Sequence, residues 1–178
     1  HGHSTEERTF GGGGSAGIYR GAKFSLFEGG IRVPAIVSYP GTLPKNEVRN
    51  QFAASVDWMP TIAELCGVPL PKRKLDGKSL TKVIASSSSA RSHDSFHWQS
   101  GRGLGGKPQW AVRDNNWKLI GNPKDTSNKA PITKDDALFL VDLSTDPSEM
   151  NNVASDHPQI VARLSKQHQQ WLEDVNQR

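Results

Sequence analysis

The sequence predicts a mixed α/β fold whose second half is a small antiparallel sheet covered by a terminal helix. Three observations lead to this prediction. An apolar run at residues 31–39 is bounded by glycine and proline, a pattern typical of a buried strand. Several short β-type segments follow residue 88, and the turn signals between them favour antiparallel pairing. Apolar residues then recur at helical spacing from about Pro158 onward.

Two short helices are predicted between the apolar run and residue 88. The first begins at Asp57, whose carboxylate is a preferred helix cap, and Pro60 falls in its first turn, where no internal donor is needed. Gly67 ends this helix, and the second helix covers residues 79–84. The apolar face of the first helix is expected to pack inward and carries Met59, Ile62, Ala63 and Cys66.

The segments with β-type composition in the second half are 95–99, 109–113, 117–121 and 137–143. Residues 114–116, between the second and third of them, are a hairpin signal. The final helix begins near Pro158, a residue favoured at the first helical position. Its apolar stripe is interrupted at His168 and consists of Ile160, Val161, Leu164, Trp171, Leu172 and Val175. We expect this stripe to pack on the antiparallel sheet.

Composition limits the class of protein. No apolar run approaches the roughly 20 residues that cross a bilayer, so we expect no membrane span. The net charge of +4 suits an anionic partner, but the basic residues are scattered and no nucleic-acid-binding motif is present. Cys66 is the only cysteine, which excludes an intrachain disulfide, and we expect it to be a small buried side chain. The chain opens at His1 without methionine, which indicates a processed or truncated front.

Lys23 is the first candidate functional residue. It follows a polar, glycine-rich stretch at residues 1–21 that predicts a long loop, and it directly precedes the predicted strand. Functional side chains often lie on irregular backbone next to a rigid element. A compact ammonium group is also a good partner for an oxyanion. The residues alone leave open whether Lys23 binds an anion or is a solvated surface lysine.

Three sequence patterns carry a resemblance to a known family. Residues 21–41 read G-x-K-x-x-x-x-E-G-G-I-R-V-P-A-I-V-x-x-P-G. Residues 56–62 read V-D-W-M-P-T-I, followed by L-D-G-K-S-L at 75–80. L-V-D-L at 140–143 then leads into D-P-S-E at 146–149. Together and in this order they resemble the formylglycine-dependent sulfatases of the arylsulfatase and N-acetylgalactosamine-6-sulfatase kind.

The resemblance implies the C-terminal part of an alkaline-phosphatase-like α/β sandwich and hydrolysis of a sulfuric ester on a sulfated carbohydrate. Residues 1–88 would finish the catalytic domain, and residues 89–178 would form the antiparallel subdomain, with the serine run at 86–89 as the boundary. The resemblance implies export to the periplasm, the exterior or a lysosome; the compartment and the oligomeric state stay open.

The resemblance also implies roles for individual residues. Lys23 matches the lysine that binds the substrate sulfate. His1 stands where the family places its second metal ligand, and either a metal contact or a hydrogen bond to the sulfate is open for it. Glu28 and Arg32 match structural residues expected to pair beneath Lys23. In the second half, aromatic faces beside polar groups suit a sugar subsite, so His97 and Trp98 are candidate substrate-binding residues. Ordinary packing within a small sheet is the alternative for those two.

The family's cofactors are a Ca²⁺ ion and a formylglycine made from cysteine in a Cys-x-Pro-x-Arg motif. The chain contains neither that motif nor its serine variant, and Cys66 is followed by Gly67-Val68-Pro69. We therefore expect the cofactors in the full-length protein and no activity from this chain alone. Two alternatives stay open: a phosphate or phosphonate ester hydrolase of the same superfamily, and a non-catalytic glycan-binding module.

Overall fold

A computed structural model describes residues 2–5 and 13–177 and divides the chain into two compact units. The sheet unit contains residues 1–34 and 95–178, and the helical unit contains residues 35–94. This division differs from the expected one, because residues 1–34 group with the second half of the chain. The reason is that Leu26 and Phe27 pack on one face of the sheet. As a boundary within a longer protein, residue 88 stays a prediction.

The sheet unit is built on four antiparallel strands in the order β1 to β4. Their bounds are Ser95–Arg102 for β1, Pro108–Asp114 for β2, Trp117–Gly121 for β3 and Leu138–Asp142 for β4. The four predicted segments are confirmed with small shifts at their ends. Asp114 pairs with Trp117, so the predicted hairpin turn is confirmed, and Asn115 there has a φ of 59°.

The two faces of the sheet are covered by different parts of the chain, because successive side chains on a strand point to opposite sides. One face presents Ala111, Ile120, Phe139 and Val141 to Leu26 and Phe27. The other face presents Val112, Leu119 and Leu140 to Leu164 of the terminal helix α4, Pro158–Asn176. The sheet is therefore the middle layer of the unit.

Helix α4 begins with Pro158 at its first position, as predicted. The interruption expected at His168 is wrong, because this ring is 4% exposed and stacks on Trp110 with a centroid distance of 4.3 Å. An imidazole ring is flat enough to fill a gap between aromatic neighbours. Val175, at the end of the expected stripe, is instead 36% exposed. No helix within the described ranges has the length and apolar character that crossing a membrane requires.

We expect Leu164→Ala to lower the free energy of unfolding by about 2–5 kcal/mol, because Leu164 is fully buried between α4 and the sheet. Gln169→Ala on the exposed side of the same helix is the control and should change it by less than about 0.5 kcal/mol. Denaturant unfolding of both variants tests the docking of α4. Equal midpoints would show that the helix does not dock through Leu164.

The expected buried strand at residues 31–39 is wrong. Glu28–Ile31 is a single helical turn, α1, and the residues after it form no strand. Ile36 is 94% exposed, and Val33, Val37 and Tyr39 are exposed as well. A strand needs a neighbour for its backbone N–H and C=O groups, and no described segment pairs with this run. The apolar composition of residues 31–39 suits a strand, but composition alone supplies no segment for them to pair with.

The helical unit contains α2, Trp58–Leu65, and α3, Thr81–Ala85. Pro60 in the first turn of α2 and Gly67 after its end are confirmed. Asp57 does not cap α2 with its side chain. Its buried carboxylate instead accepts hydrogen bonds from the backbone N–H groups of Ala54, at 2.7 Å, and Lys78, at 2.9 Å, and lies 2.7 Å from Nε2 of His93.

The predicted inward face of α2 is wrong. Met59 is 44% exposed, Ile62 is 56% exposed, and Cys66 is exposed rather than buried. The buried face is the one with Pro60 and Thr61. Thr61 fixes this orientation: its hydroxyl donates to the Asp57 carbonyl at 2.6 Å and accepts from the N–H of Leu80 at 2.9 Å.

Candidate active-site loop

Lys23 lies on a tight loop that folds back on itself. The N–H of Gly29 donates to the carbonyl of Arg20 at 2.7 Å, and the N–H of Gly30 donates to that of Phe27 at 2.8 Å. Phe24, directly after Lys23, has a φ of 74°, which is rare for a residue with a side chain. The loop is therefore closed by its own backbone, and Lys23 stands near its tip.

The start of the chain lies beside this loop. Gly2 donates to the carbonyl of Gly30 at 2.7 Å, and Lys23 donates its N–H to the carbonyl of His3 at 2.8 Å. A side chain at Gly2 would collide with the carbonyl oxygen of Gly29, so this approach requires glycine. The backbone of His3 thus lies directly beside Lys23. His1, the predicted metal ligand, lies outside the described residues.

The Lys23 side chain is partly exposed, and its ammonium lies 4.9 Å from the centre of the Phe24 ring. Lys23 forms no ion pair with a carboxylate in the described part of the chain. The Nδ1 atom of His3 is buried and has no hydrogen-bond partner among the same residues. The loop therefore presents a positive charge without a described carboxylate partner, which is suited to binding an anion.

A buried ion-pair cluster supports the loop from below. Nζ of Lys118, on β3, lies 2.9 Å from carboxylate oxygens of both Glu28 and Glu149. The backbone N–H of Glu28 also donates to the Glu149 carboxylate. Lys118 and Glu149 are fully buried, and Glu28 is 4% exposed. The cluster fixes the end of the Lys23 loop to the centre of the sheet.

The pKa values in this cluster follow from burial and pairing. Burial alone would lower the pKa of Lys118, but the carboxylates of Glu149 and Glu28 outweigh it and raise this pKa above its usual value. Burial opposes ionisation of Glu28, yet Lys118 holds the pKa of Glu28 below its usual value. Burial raises the pKa of Glu149, against the opposing effect of Lys118.

The expected Glu28–Arg32 pair is a minor contact. The guanidinium of Arg32 lies 3.7 Å from the Glu28 carboxylate, and its side chain is 52% exposed. Lys118 is the principal partner of Glu28, and sequence reasoning missed both Lys118 and Glu149. The sequence does contain one signal that Lys118 is buried. In a strand, Lys118 lies on the same face as Ile120, an apolar core residue, and on the face opposite to Trp117 and Leu119.

A second buried cation, Arg20, fixes the backbone just before Lys23. Arg20 is 1% exposed and donates to Asp125 at 2.8 Å and to the carbonyls of Glu149 and Ala130 at 3.0 Å each. Its guanidinium also lies 4.2 Å from the centre of the Phe27 ring. Burial opposes ionisation of Asp125, but hydrogen bonds from Ser127 and Arg20 hold its pKa below the usual value.

The segment between β3 and β4 holds the Lys23 loop from the side. The N–H of Gly21 donates to the Ser127 hydroxyl at 2.9 Å, and the N–H of Ala22 donates to the Thr126 hydroxyl at 3.0 Å. Lys23 is thus positioned from three directions: by the start of the chain, by the buried cluster and by this segment. Each of these supports has a defined hydrogen bond or ion pair.

His97 and Trp98 do not form one sugar subsite, because they point to opposite faces of the sheet. His97 lies under α4 and stacks on Trp171, with ring centres 5.2 Å apart and nearly parallel planes. Trp98 packs with the residues of the other face, around Ala111 and Ile120. The structure brings neither side chain to Lys23 by any described hydrogen bond. Packing, the alternative considered for both, matches these contacts.

His97 and His168 form a pair of neutral rings beneath α4. Burial, with the neighbouring His168, lowers the pKa of His97 to about 4, and burial lowers the pKa of His168 to about 4. An unfolded histidine protonates near pH 6.5. The stability that these rings contribute is therefore complete above about pH 6.5 and is lost as the pH falls from about 6.5 toward 4.

We expect His168→Phe to reduce the stability that is lost between pH 7.5 and pH 5 by about 1 kcal/mol or more. Phenylalanine keeps the stacking on Trp110 but cannot be protonated. The measurement is denaturant unfolding of both proteins at pH 7.5 and at pH 5. If the two proteins lose equal stability between these pH values, the neutral pair is not the source of the acid sensitivity.

The described residues do not fit a complete metal site. Among residues 2–5 and 13–177, no group of three histidine, cysteine or acidic side chains is placed to hold a metal ion. Cys66, at the end of α2, is exposed and lies outside any nucleophile motif.

Comparison with known proteins identifies relatives over most of the chain. Residues 17–177 match the family model described as N-sulphoglucosamine sulphohydrolase, C-terminal. The chain is 32% identical to an N-acetylgalactosamine-6-O-sulfatase of Bacteroides thetaiotaomicron, covering 84% of this chain and 29% of the relative. It is 30% identical to human arylsulfatase A, covering 86% of this chain and 33% of the relative. The chain thus spans about a third of these relatives' length.

Solved structures agree with these matches. A Bacteroides thetaiotaomicron structure, described in connection with the metabolism of multiple glycosaminoglycans, is 31% identical and superimposes with a TM-score of 0.63, covering 91% of this chain and 32% of that one. The neighbours confirm the expected fold, in which the antiparallel sheet and terminal helix form the C-terminal part of an alkaline-phosphatase-like sulfatase. The chain therefore belongs to the sulfatase family and matches the C-terminal region described for N-sulphoglucosamine sulphohydrolase.

Proposed function

We propose that this chain is the C-terminal part of an enzyme that hydrolyses sulfate esters of a sulfated carbohydrate, and that Lys23 binds the substrate sulfate. The observation that carries the proposal is the setting of Lys23. Its ammonium has no carboxylate partner among the described residues, while its backbone N–H is bound by the carbonyl of His3. The same loop is held at Ala22 by Thr126 and at Glu28 by Lys118. Such rigid placement of one charge is what stabilising an oxyanion requires.

The chemistry assigned to this chain is electrostatic. The Lys23 ammonium would neutralise non-bridging oxygens of the sulfate and hold the ester in one orientation as negative charge develops on the leaving oxygen. The buried cluster around Lys118 keeps the loop from rearranging, so no reorganisation is needed during the reaction. His3, whose Nδ1 atom lacks a described partner, is placed to add a hydrogen bond beside Lys23.

The remaining chemistry is proposed for the full-length protein. We propose that a Ca²⁺ ion and a formylglycine complete the site, with His1 among the metal ligands and all the others contributed from outside the described residues. A hard cation and a positioned nucleophile supply what Lys23 cannot, additional charge and a bond-forming atom. The exposed apolar residues 33–39 would then be covered by the rest of the protein. Export of the enzyme is part of the same proposal.

The isolated 178-residue chain is expected to show no sulfatase activity, because it contains no nucleophile motif and a nucleophile acts as a unit with its partners. The test is release of inorganic sulfate from a sulfated oligosaccharide by the isolated chain and by the full-length protein. Release by the full-length protein alone supports the proposal. Release by the purified isolated chain above a heat-inactivated control contradicts it.

A further inference from the structure

A groove lies between the turn that joins β1 to β2 and the segment that joins β3 to β4. Its volume is about 720 Å³, and its walls include Gly103, Leu104, Lys124, Asn128, Pro131 and Ile132. None of these residues belongs to the Lys23 loop. The groove is thus a separate feature of the sheet unit, large enough for one sugar ring and its substituents.

The first wall is fixed by backbone contacts. The N–H of Leu104 donates to the carbonyl of Asn122 at 3.0 Å, and the N–H of Gly103 donates to that of Lys107 at 2.6 Å. A side chain at Gly103 would collide with the Asn122 carbonyl, so only glycine allows the turn to approach the end of β3. The turn therefore forms a defined edge on which the Leu104 side chain is partly exposed.

The opposite wall is fixed by the Arg20–Asp125 ion pair. Arg20 anchors Asp125 and the carbonyl of Ala130, so both ends of this wall are tied to the core. The same pair neutralises Asp125, whose side chain is 4% exposed. The acidic residue in the groove is therefore not available to repel an anion.

The charge that remains in the groove is positive. Lys124 is exposed and forms no ion pair with any described carboxylate. The neighbouring Lys129 differs, because its ammonium donates to the carbonyls of Gly17 and Tyr19 at 2.7 and 2.8 Å. Lys124 is thus the available cation, and the exposed amide of Asn128 adds hydrogen-bonding capacity. Leu104, Pro131 and Ile132 offer apolar surface for the C–H face of a sugar.

One segment of the chain links the groove to the candidate active-site loop. Lys124 lies two residues before Thr126, which accepts the N–H of Ala22, the residue that precedes Lys23. The Ser127 hydroxyl accepts the N–H of Gly21 in the same way. One rigid segment therefore carries both the groove wall and the side support of the Lys23 loop.

We infer that this groove binds a second anionic group, a sulfate or carboxylate on the sugar next to the one being hydrolysed, and that Lys124 is its specificity-determining residue. The inference rests on the proposed function, because it takes the occupant to be another part of the same substrate. Charge complementarity and the segment shared with the support of the Lys23 loop select this occupant. A small aryl sulfate carries one sulfate and no second sugar, so we expect its hydrolysis to be independent of Lys124.

The experiment uses the full-length protein and hydrolysis of 4-nitrophenyl sulfate, with a sulfated heparin tetrasaccharide as competitive inhibitor. Lys124→Ala is expected to raise the inhibition constant of the tetrasaccharide about 3- to 5-fold at low salt, with kcat and KM for 4-nitrophenyl sulfate unchanged. The difference should shrink in 0.5 M NaCl, roughly in line with screening of an exposed charge. Lys166→Ala, an exposed lysine on α4, is the matched control and should have no effect.

The sources of the anion are separated by comparing the tetrasaccharide with its desulfated, carboxylate-bearing form. A Lys124→Ala effect on the first alone assigns the groove to sulfate, and an effect on both assigns it to either anion. An unchanged inhibition constant for both overturns the inference. If the wild-type protein does not hydrolyse 4-nitrophenyl sulfate, calorimetric binding of the tetrasaccharide to wild type and Lys124→Ala decides on the groove: a loss of binding supports the inference, and equal binding overturns it. The proposed function itself fails if the wild-type protein releases no sulfate from the tetrasaccharide either.

Discussion

In the full-length protein, Lys23→Ala is expected to lower kcat/KM for a sulfate ester by about 10²-fold or more. Removing one preorganised contact to a developing oxyanion costs on the order of 2.7–4 kcal/mol. The ammonium of Lys23 has no described carboxylate partner, so its loss should leave folding nearly unchanged. Initial rates per folded molecule, with folding followed by a thermal melt, measure both effects.

Two further variants sharpen this test. Lys23→Arg should restore activity only in part, because a planar guanidinium fork does not replace a compact point charge. Lys45→Ala removes an exposed lysine of the helical unit and should leave kcat/KM unchanged. Activity of Lys23→Ala within about twofold of wild type would remove Lys23 from the site.

Lys118→Met is expected to be the most destabilising single substitution of a charged residue in the sheet unit. It leaves the buried carboxylates of Glu28 and Glu149 without their cation. Breaking a buried ion pair by removing one partner typically costs about 3–5 kcal/mol, a large share of the roughly 5–15 kcal/mol that stabilises an ordinary domain. We expect the melting temperature to fall by about 10 °C or more.

The triple variant Lys118→Met, Glu28→Gln and Glu149→Gln separates charge from packing. It removes all three charges together, so it should recover part of the lost stability. Lys166→Met, on the exposed side of α4, is the matched control and should shift the melting temperature little. A Lys118→Met melt within about 2 °C of wild type would show that the cluster does not support the sheet unit.

The sheet and its terminal helix were predictable because their signals are local. The turn signal between the second and third β-type segments and the helical spacing after Pro158 each specify an element within a few residues. The same reasoning failed at residues 31–39 and on α2. An apolar run indicates that a segment is suited to burial, but it does not indicate which other segment packs against it. Ile36 and Ile62 are exposed for this reason.

Sequence reasoning proposed a centre for the candidate site, and that assignment stays a prediction; it did not identify the contacts that support the loop. The motif around Lys23 predicted a functional loop. The partners that give the loop its shape lie far away in sequence: Lys118 is 90 residues from Glu28, and Thr126 is 104 residues from Ala22. Pairings of this kind depend on how the chain folds across the sheet, which no local pattern records.

The histidines illustrate a further limit. His97 and His168 carry the same side chain that marks many functional sites, and sequence reasoning placed His97 in a sugar subsite and His168 at a break in the helix stripe. In the folded chain both rings are stacked among Trp110 and Trp171 under α4. A flat imidazole ring suits both a functional site and a packed core, so only the residues that surround it in the folded chain distinguish the two.

The most direct test of the central claim compares a sulfate and a phosphate ester of the same leaving group. The measurement is kcat/KM of the full-length protein for 4-nitrophenyl sulfate and 4-nitrophenyl phosphate. The account predicts that the sulfate ester is preferred by about tenfold or more and that Lys23→Ala abolishes most of this turnover. Preferential hydrolysis of the phosphate ester, or sulfate turnover that is indifferent to Lys23, would contradict it.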